Sequence, residues 1–293
     1  MRIAVLMGGV STEREISIKT GEAILKSLQN MDYDAFAIVL DKEHMIQDLH
    51  NNQFDAAFIA LHGEYGEDGR VQAVLDIMDI PYTGSNYSSS AIAMNKIITK
   101  DLLSTLDGAV KIPKTYYDIN EIFRFPVIVK PIIGGSSINL TKCNNKDEVK
   151  RALAETDDKM MIEECIVGEE VTVGVLNGEP LGVVKIKPKE GLYDYKAKYT
   201  KGETEFEVPA NIDGELYDSL MKSSKLINEK LDLDGGVRVD YIINRGKTYF
   251  LEVNTIPGMT ELSLLPKTAS IKGLVFDEIV KKMLEKFAKI QKK

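Results

Sequence analysis

Cysteine is scarce in this chain and tryptophan is absent: the 293 residues include 2 cysteines and no tryptophan. Cys143 and Cys165 are too few for a disulfide framework or a structural zinc site in a chain of this length. Basic residues are also in deficit, because 37 Lys and Arg face 45 Asp and Glu and give a net charge of −8. This balance disfavours nucleic acid as a partner and favours small molecules or proteins.

Long apolar runs are missing as well. No run reaches the roughly 18 residues that a transmembrane helix needs. The first residues, Met1–Gly9, are typical of a buried strand and turn, and no segment resembling a signal-peptide cleavage site follows them. We therefore expect a cytoplasmic protein with no membrane partner. With 44% hydrophobic and 28% charged residues, the chain can form two or three ordinary folded domains.

Strands and helices alternate in the first part of the chain. Apolar strands at 2–9 and 54–61 flank a helical pattern over 15–31, and this order predicts an α/β domain with a parallel sheet. We place its end near Ser85. Residues 86–165 then have the pattern of a small α+β unit. Residues 166–293 change to antiparallel strands, with helices at the end.

The segment Val237–Gly258 predicts a hairpin of two short apolar strands that carries unexpected polar residues. Because side chains alternate between the faces of a strand, Arg238 and Asp240 share a face of the first strand, and Glu252 and Asn254 share a face of the second. A two-residue loop, Arg245-Gly246, would put the two pairs on opposite sides of the sheet. A three-residue loop that also includes Asn244 would put all four residues on one side, and we favour it.

That face would combine two carboxylates, a carboxamide and a guanidinium. Oxygen ligands of this kind are those that Mg²⁺ and Mn²⁺ prefer. A solvated face with surface ion pairs is the alternative. The apolar strands and the repulsion between two neighbouring acids favour a cation site, and the rigid turn Thr255–Gly258 after the hairpin could point backbone amides into it.

A Gly-Ser loop follows the apolar strand Val127–Pro131. Successive backbone N–H groups in Gly134–Ser137 could form an anion-binding nest, and Lys130 at the strand end could bridge phosphate oxygens. An ordinary flexible loop is the alternative. The chain contains no Gly-x-x-x-x-Gly-Lys-Ser/Thr segment, so this is not a Walker A loop.

Two further residues follow predicted strands of the first domain, at the edge of a parallel sheet where ligands commonly bind. Thr12 and Glu15 have the spacing of a capping box, which would place Glu13 in the first helical turn. Glu13 could equally be a surface acid favoured by the helix dipole. His62 lies in a Gly-rich loop, where it could contact a substrate or be structural.

A polar, aromatic segment runs from Gly191 to Phe206. Three tyrosines and three lysines fall within nine of its residues, and the segment has no clear period. This composition predicts a mobile flap of the kind that closes over a reaction. A surface loop is the alternative.

Taken together, nine segments of this chain resemble the D-alanine–D-alanine ligases of the ATP-grasp superfamily. They occur in the family's order and span nearly the whole sequence. The segments are GGVSTEREIS, ALHGEYGEDGRVQ, PYTGS, MNKIITK, VIVKPIIGGSS, DYKAKY, RVDY, LEVNTIPGMT and SLLP. The resemblance implies an ATP-grasp fold, α/β and α+β, with an N-terminal Rossmann-like domain at 1–85, a small ATP-grasp subdomain at 86–165 and a C-terminal subdomain at 166–293 that holds the metal site and the flap.

The resemblance also implies an ATP-dependent ligase of peptidoglycan cell-wall biosynthesis. ATP would phosphorylate the carboxylate of a first D-alanine, and the amine of a second would attack the acyl phosphate. The tetrahedral intermediate would then collapse to D-alanyl-D-alanine, ADP and phosphate. The family usually forms dimers, so a homodimer is expected.

Residue roles follow from the same resemblance. Asp240, Glu252 and Asn254 would hold two Mg²⁺ or Mn²⁺ ions that bridge the ATP phosphates. Arg238 and the backbone N–H of Gly258 would stabilise the charged intermediate. The residues expected around ATP are Lys96, Lys130, Glu163, Glu164, Ile166, Glu170 and Lys198.

The remaining implied roles concern the amino-acid substrates. Glu13 would meet the ammonium of the first D-alanine and join Ser136 and Tyr199 in a hydrogen-bond chain that ties the flap to the Gly-Ser loop. The other substrate contacts are expected at His62, Ser263 and Leu264. A ligase that joins D-alanine to D-lactate or D-serine, or another ATP-grasp carboxylate–amine ligase, is the rival interpretation, and Lys198-Tyr199 in the flap argues against the D-lactate and D-serine ligases.

Overall fold

The computed structural model describes residues 1–106, 108–189, 200, 202–260, 263–285 and 287. The first part is a parallel sheet, as the apolar strands predict, and its strands lie in the order β2-β1-β3. Its strands are β1 (Arg2–Gly8), β2 (Asp34–Leu40) and β3 (Ala56–Ile59). The helices of this part are α1 (Arg14–Asn30), α2 (Met45–Asn51) and α3 (Arg70–Ile77).

A small antiparallel sheet follows, in the order β4-β7-β5-β6. Its strands are β4 (Thr115–Tyr116), β5 (Val127–Pro131), β6 (Thr141–Cys143) and β7 (Met160–Glu164). The helices before and within it are α4 (Tyr87–Met94), α5 (Lys96–Ser104) and α6 (Lys146–Ala154), with a 3-10 turn at Ile119–Glu121.

The last part is a larger antiparallel sheet in the order β10-β9-β8-β11-β12. Its strands are β8 (Glu169–Leu176), β9 (Glu179–Pro188), β10 (Thr204–Glu207), β11 (Gly236–Asn244) and β12 (Lys247–Asn254). The helices around it are α7 (Gly214–Lys230), α8 (Leu264–Ser270) and α9 (Phe276–Met283). The antiparallel strands predicted for this last part are confirmed, but the change from parallel pairing comes earlier, in the small sheet before residue 166.

The C-terminal helices pack back onto the N-terminal sheet. Ile3 and Phe58 of that sheet share one buried apolar cluster with Leu265 of α8 and Ile279 of α9. Both ends of the chain therefore contribute to one core, which fixes the last helices against the first sheet.

The β11–β12 hairpin corrects the expected loop but keeps its consequence. Asn244 pairs with Lys247, so the turn has two residues, Arg245 and Gly246, both at positive φ (46° and 71°) as a type I′ turn requires. The predicted three-residue loop is wrong. A β-bulge at Leu251 shifts the register, because Asp240 pairs with Glu252 whereas Tyr241 pairs with Phe250. The bulge brings the four polar residues back to one face.

The same bulge changes which side chains enter the core. Phe250 is 1% exposed and packs edge-on against Tyr241 with ring centroids 6.3 Å apart. Tyr249 and Leu251, which the alternation places on the apolar face, are instead only partly buried. The sequence pattern is therefore correct for β11 and shifted by one residue for the first half of β12.

Candidate active site

Two adjoining cavities gather the residues that the sequence singles out. The larger cavity, about 520 Å³, lies between α1, the Gly-Ser loop and the end of the β11–β12 hairpin. It is lined by Glu13, His62, Ser136, Arg238, Asn254, Gly258, Ser263 and Leu264. The smaller cavity, about 130 Å³, lies between the small and the large antiparallel sheets and is lined by Lys96, Lys130, Glu163, Glu164, Ile166, Glu170 and Asp240.

Glu252 and Gly135 line both cavities. The two spaces therefore meet at the hairpin face that carries the carboxylates. Lys198 and Tyr199, the flap residues, lie outside the described residues. Every other predicted site residue lies on the wall of one cavity or the other.

Each acid on the hairpin face contacts a cation. The guanidinium of Arg238 donates to both carboxylate oxygens of Asp240, with Nε–Oδ1 at 2.9 Å and Nη2–Oδ2 at 3.0 Å. The hydroxyl of Thr172 on the neighbouring strand β8 donates to Asp240 Oδ1 at 2.6 Å. Lys96 Nζ lies 3.5 Å from Glu252 Oε2. The cations offset the repulsion between two carboxylates on directly paired residues.

Asn254 completes the oxygen-rich face. Its Oδ1 accepts a hydrogen bond from the backbone N–H of Ile256 at 3.0 Å, which fixes the amide at the start of the turn after β12. Among the described residues, no group of three or more His, Cys, Asp or Glu side chains has the arrangement of a metal site.

Buried lysines line the smaller cavity. Lys96, the first residue of α5, donates from Nζ to the carbonyl oxygen of Gly134 at 2.6 Å. Lys130 Nζ lies 2.5 Å from Glu163 Oε1. Burial lowers the pKa of Lys96, an effect to which Lys130 adds and which Glu252 opposes. Such a cluster of desolvated ammonium groups attracts a polyanion such as a nucleotide phosphate chain.

Glu163 is nearly inaccessible to solvent, at 3% exposure. Burial alone would raise the pKa of its carboxyl, but the ion pairs with Lys130 and Lys100 outweigh burial and hold the pKa below the ordinary value. Lys100 is absent from the sequence-based predictions. Its position one helical turn after Lys96 in the segment MNKIITK is the signal that could have identified it.

The Gly-Ser loop holds an unusual backbone shape. Gly134 has φ of 131°, and Ser136 and Ser137 have φ of 52° and 57°, a left-handed conformation that costs non-glycine residues free energy. The hydroxyl of Ser136 donates to the Glu13 carboxylate. This hydrogen bond joins the Gly-Ser loop after β5 to the residue before α1 across the larger cavity, as one link of the predicted chain requires.

The start of α1 differs from the capping prediction. Helix α1 begins at Arg14 with Glu13 as the N-cap residue, and no side chain caps it. The predicted box of Thr12 and Glu15 is wrong, because Ser11 Oγ instead accepts from the backbone N–H of Glu13 at 3.1 Å. Glu13 lies before the helix and not in its first turn, and its side chain reaches the Gly-Ser loop.

His62 is buried at 4% exposure and is held on two sides. Its Nε2 lies 3.0 Å from the hydroxyl of Thr20, and its Nδ1 lies 3.9 Å from Glu67 Oε1. Burial raises the pKa of Glu67, the nearby Glu13 raises it further, and the hydrogen bond with His62 opposes both. Thr20 and Glu67 are not among the predicted site residues. Thr20 stands in no distinctive pattern, whereas Glu67 belongs to the segment ALHGEYGEDGRVQ that also contains His62, and this is the signal that could have identified it.

A turn after β12 closes the larger cavity. Ser263 Oγ accepts from the backbone N–H of Thr260 at 2.9 Å. A Cβ atom on Gly258 would approach Ser263 Oγ to 2.8 Å, so any larger residue would displace this hydroxyl. Leu264 packs with Val184 and makes the cavity wall apolar on this side.

The apolar walls of the smaller cavity are a second group that sequence reasoning missed. Ile128, Ile242 and Leu251 line it beside Glu170. A flat apolar slot next to a lysine cluster suits an aromatic base joined to phosphates. Simple alternation places Leu251 on the face opposite Glu252, and only the bulge turns it towards this slot.

A parallel N-terminal sheet and two antiparallel sheets that enclose a lysine-lined cavity define an ATP-grasp protein. The family model described as "D-ala D-ala ligase N-terminus" matches residues 2–53 and 45–85. The model described as "D-ala D-ala ligase C-terminus" matches residues 102–285. The chain is 48% identical over 288 residues to a D-alanine–D-alanine ligase from Fusobacterium nucleatum, covering 98% of this chain and 99% of the relative. The chain belongs to the D-alanine–D-alanine ligase family, and it is an ATP-dependent ligase.

Solved structures agree with this assignment. A D-alanine–D-alanine ligase from Bacillus anthracis complexed with ATP superimposes with a TM-score of 0.86 at 35% identity, covering 100% of this chain and 98% of that one. The D-Ala:D-Ser ligase VanG from Enterococcus faecalis gives a TM-score of 0.82 at 29% identity, covering 97% and 98%. The predicted fold class is confirmed. Within the described part of the chain, no helix has the length and apolar character needed to cross a membrane.

Proposed function

We propose that this chain joins two D-alanines into D-alanyl-D-alanine with ATP as co-substrate, in the cytoplasmic steps of peptidoglycan synthesis. The observation that carries the proposal is the meeting of two cavities at Glu252. One cavity has a lysine cluster and an apolar slot for a nucleotide. The other has a carboxylate for an amino group and an arginine for a carboxylate or its phosphoryl derivative. A phosphoryl group could pass between them without leaving the protein.

The smaller cavity is the proposed ATP site. Lys96 and Lys130 lie at its phosphate end and would hold phosphate oxygens, and the backbone of the Gly-Ser loop would add N–H donors. The base would lie beside the end of β7, against the segment from Glu163 to Ile166 that lines this cavity. Glu170 would accept from the ribose hydroxyls. Lys198 would approach the γ-phosphate from the flap.

The larger cavity is the proposed amino-acid site. Glu13 and His62 lie at the end of the N-terminal sheet and would hold the ammonium and the carboxylate of the first D-alanine. The second D-alanine would be held by two residues. Ser263 would bind its carboxylate through a hydrogen bond, and Leu264 would pack on its methyl group. Both substrates would then be held in the geometry for attack.

A divalent cation belongs to this family's chemistry, and the hairpin face fits it. Asp240, Glu252 and Asn254 supply only oxygen atoms, and they lie where the two cavities meet. This donor set suits a hard cation, and we propose two Mg²⁺ or Mn²⁺ ions. When bound, the ions would neutralise phosphate charge during transfer. The bound ions would also neutralise the carboxylate charges of Asp240 and Glu252, which Arg238 and Lys96 neutralise here.

The reaction divides between these residues. A carboxylate oxygen of the first D-alanine attacks the γ-phosphorus and ADP leaves. The amine of the second D-alanine attacks the carbonyl carbon of the acyl phosphate and forms the C–N bond of a tetrahedral intermediate. The nitrogen gives up a proton to solvent, and the intermediate collapses as its C–O bond breaks and phosphate leaves. Arg238 and the N–H of Gly258 would stabilise the oxyanion of the tetrahedral intermediate. The Ser136–Glu13 hydrogen bond, with Tyr199, would hold the site closed around it.

Release of ADP with ATP, Mg²⁺ and D-alanine tests the proposal, with mass spectrometry of the dipeptide. We expect turnover with D-alanine alone and none with L-alanine. Turnover that requires added D-serine or D-lactate would move the specificity to the rival ligases. No ADP in any arm would overturn the ligase proposal. The domain limits 1–85, 86–165 and 166–293 and a homodimer are proposed with it, and limited proteolysis and light scattering test them.

A further inference from the structure

Lys100 is a buried ammonium group that the reaction scheme above does not use. It lies on α5 one turn after Lys96 and is 3% exposed. It lines neither the nucleotide cavity nor the amino-acid cavity. Its Nζ contacts Glu163 Oε2 instead. A buried lysine costs folding free energy unless it is paired with an opposite charge. The reaction scheme does not explain why such a group lies behind the cavity wall.

Glu163 connects Lys100 to the cavity. In the β5–β7 ladder, Glu163 pairs with Ile128, whereas Lys130 pairs with Met161. Glu163 and Lys130 are therefore diagonal neighbours on one face. The two oxygens of the Glu163 carboxylate are divided between the lysines: Oε1 lies 2.5 Å from Lys130 Nζ, and Oε2 contacts Lys100. Glu163 and Lys130 line the nucleotide cavity, and Lys100 supports them from behind.

The charges explain what this arrangement achieves. A buried Glu163 paired with Lys130 alone would form a neutral pair, and the ammonium facing the phosphates would lose much of its attraction for them. Sharing the carboxylate with Lys100 leaves the three groups with a net positive charge. The contact with Lys100 also holds the Glu163 carboxylate in place, so that the Lys130 ammonium group keeps one orientation.

We propose that Lys100 is a positioning residue for nucleotide binding, acting through Glu163 to keep Lys130 oriented and electrostatically available to the phosphates of ATP. The inference rests on the proposed ATP site in the smaller cavity. Lys100 itself touches no substrate.

Titration calorimetry of ATP with Mg²⁺ tests the proposal on four proteins: the unmodified chain, Lys100→Met, Lys100→Arg and the control Lys225→Met. Lys225 forms a comparable ion pair with Glu179 at 2.8 Å, but it is exposed and lines neither cavity. We expect Lys100→Met to weaken ATP binding by about tenfold or more, as when a residue supporting a ligand is removed. Lys100→Arg should recover part of the loss, and the control should bind as the unmodified chain does.

Steady-state kinetics separate positioning from general damage. The KM for ATP should rise in Lys100→Met, while the KM for D-alanine stays within about twofold. Unchanged ATP affinity in a folded Lys100→Met variant would overturn the inference. An equal loss for ATP and D-alanine would also overturn it, because that pattern indicates a structural role. Absence of ATP binding by the unmodified chain would instead overturn the proposed nucleotide site.

A second pair of variants tests whether Lys100 acts through Glu163. Once Glu163→Gln has removed the shared charge, adding Lys100→Met should change ATP affinity by no more than about twofold, because an indirect effect needs its intermediate. A further large loss in the double variant would contradict the inference. This comparison also serves if Lys100→Met alone fails to fold, since the double variant removes both members of the Lys100–Glu163 pair. The charge that it leaves without Glu163 is Lys130, which lines the nucleotide cavity and is present in both proteins compared.

Discussion

Replacing Glu252 by glutamine is the sharpest test of the proposed metal face. Glutamine keeps the size of the side chain and one carbonyl oxygen, but it removes the negative charge that both cavities share. Glu252 is 27% exposed in its side chain, so the amide can be solvated without strain. The variant therefore isolates charge from shape.

The structure sets the scale of the two expected effects. The Lys96–Glu252 separation of 3.5 Å corresponds to a gross Coulomb energy of about 5 kcal/mol at an effective dielectric of about 20. Water at the partly exposed carboxylate reduces the net contribution to about 1 kcal/mol. A loss of that size lowers the Tm by about 2–4 °C. Loss of a charged ligand should lower turnover by about 100-fold or more, equivalent to about 2.7 kcal/mol or more.

The assay follows ADP release at saturating D-alanine while Mg²⁺ is titrated, with thermal unfolding of the same samples. We expect a folded protein that turns over slowly and needs more Mg²⁺. Glu179→Gln is the matched control, because Glu179 is exposed and paired with Lys225 outside both cavities. Turnover and Mg²⁺ demand close to those of the control would refute the assignment of Glu252 as a metal ligand.

Three further predictions concern other parts of the molecule. Ser136→Ala should raise the KM for D-alanine about tenfold with little change for ATP, because the Glu13 carboxylate loses its donor; an unchanged KM would contradict this. Tyr241→Phe should lower the free energy of unfolding in urea by about 1–2 kcal/mol, since its hydroxyl bonds Ser224 Oγ at 2.8 Å inside the core. Burial lowers the pKa of Lys100 from 10.5 to about 8. Between these values the unfolded chain binds more protons at this lysine, so Lys100 should make the free energy of unfolding rise with pH by up to about 1.4 kcal/mol per unit, and Lys100→Met should remove this contribution to the slope.

Much of the fold could be predicted from the sequence because its patterns are local. Apolar strands such as Arg2–Gly8, buried on both faces, indicate a parallel sheet wherever they occur. The shared face of Arg238 and Asp240 in β11 likewise follows from the alternation of side chains alone. The predicted site residues lie together around two cavities because the motifs that carry them are specific in order and spacing.

Where the predictions were wrong, a non-local interaction decided the outcome. The turn at Arg245-Gly246 has two residues, and the bulge at Leu251 supplies the offset that a longer loop was expected to give. A bulge leaves no clear mark in a sequence, since any residue can occupy it. The capping box at Thr12 failed for a similar reason: the loop before α1 is bonded to the neighbouring strand end, with Ser11 Oγ donating to the His62 carbonyl at 2.6 Å.

The sequence by itself determined the classes of element, the residue types available for chemistry and the family to which they belong. The tertiary structure decided which charges meet. The Ser136–Glu13 hydrogen bond joins residues 123 positions apart, and the Lys100–Glu163 pair joins residues 63 apart. Hydrophobic periodicity states which side of a strand or helix is buried, but not which element covers it. Partners across a cavity are set only when all the elements pack together.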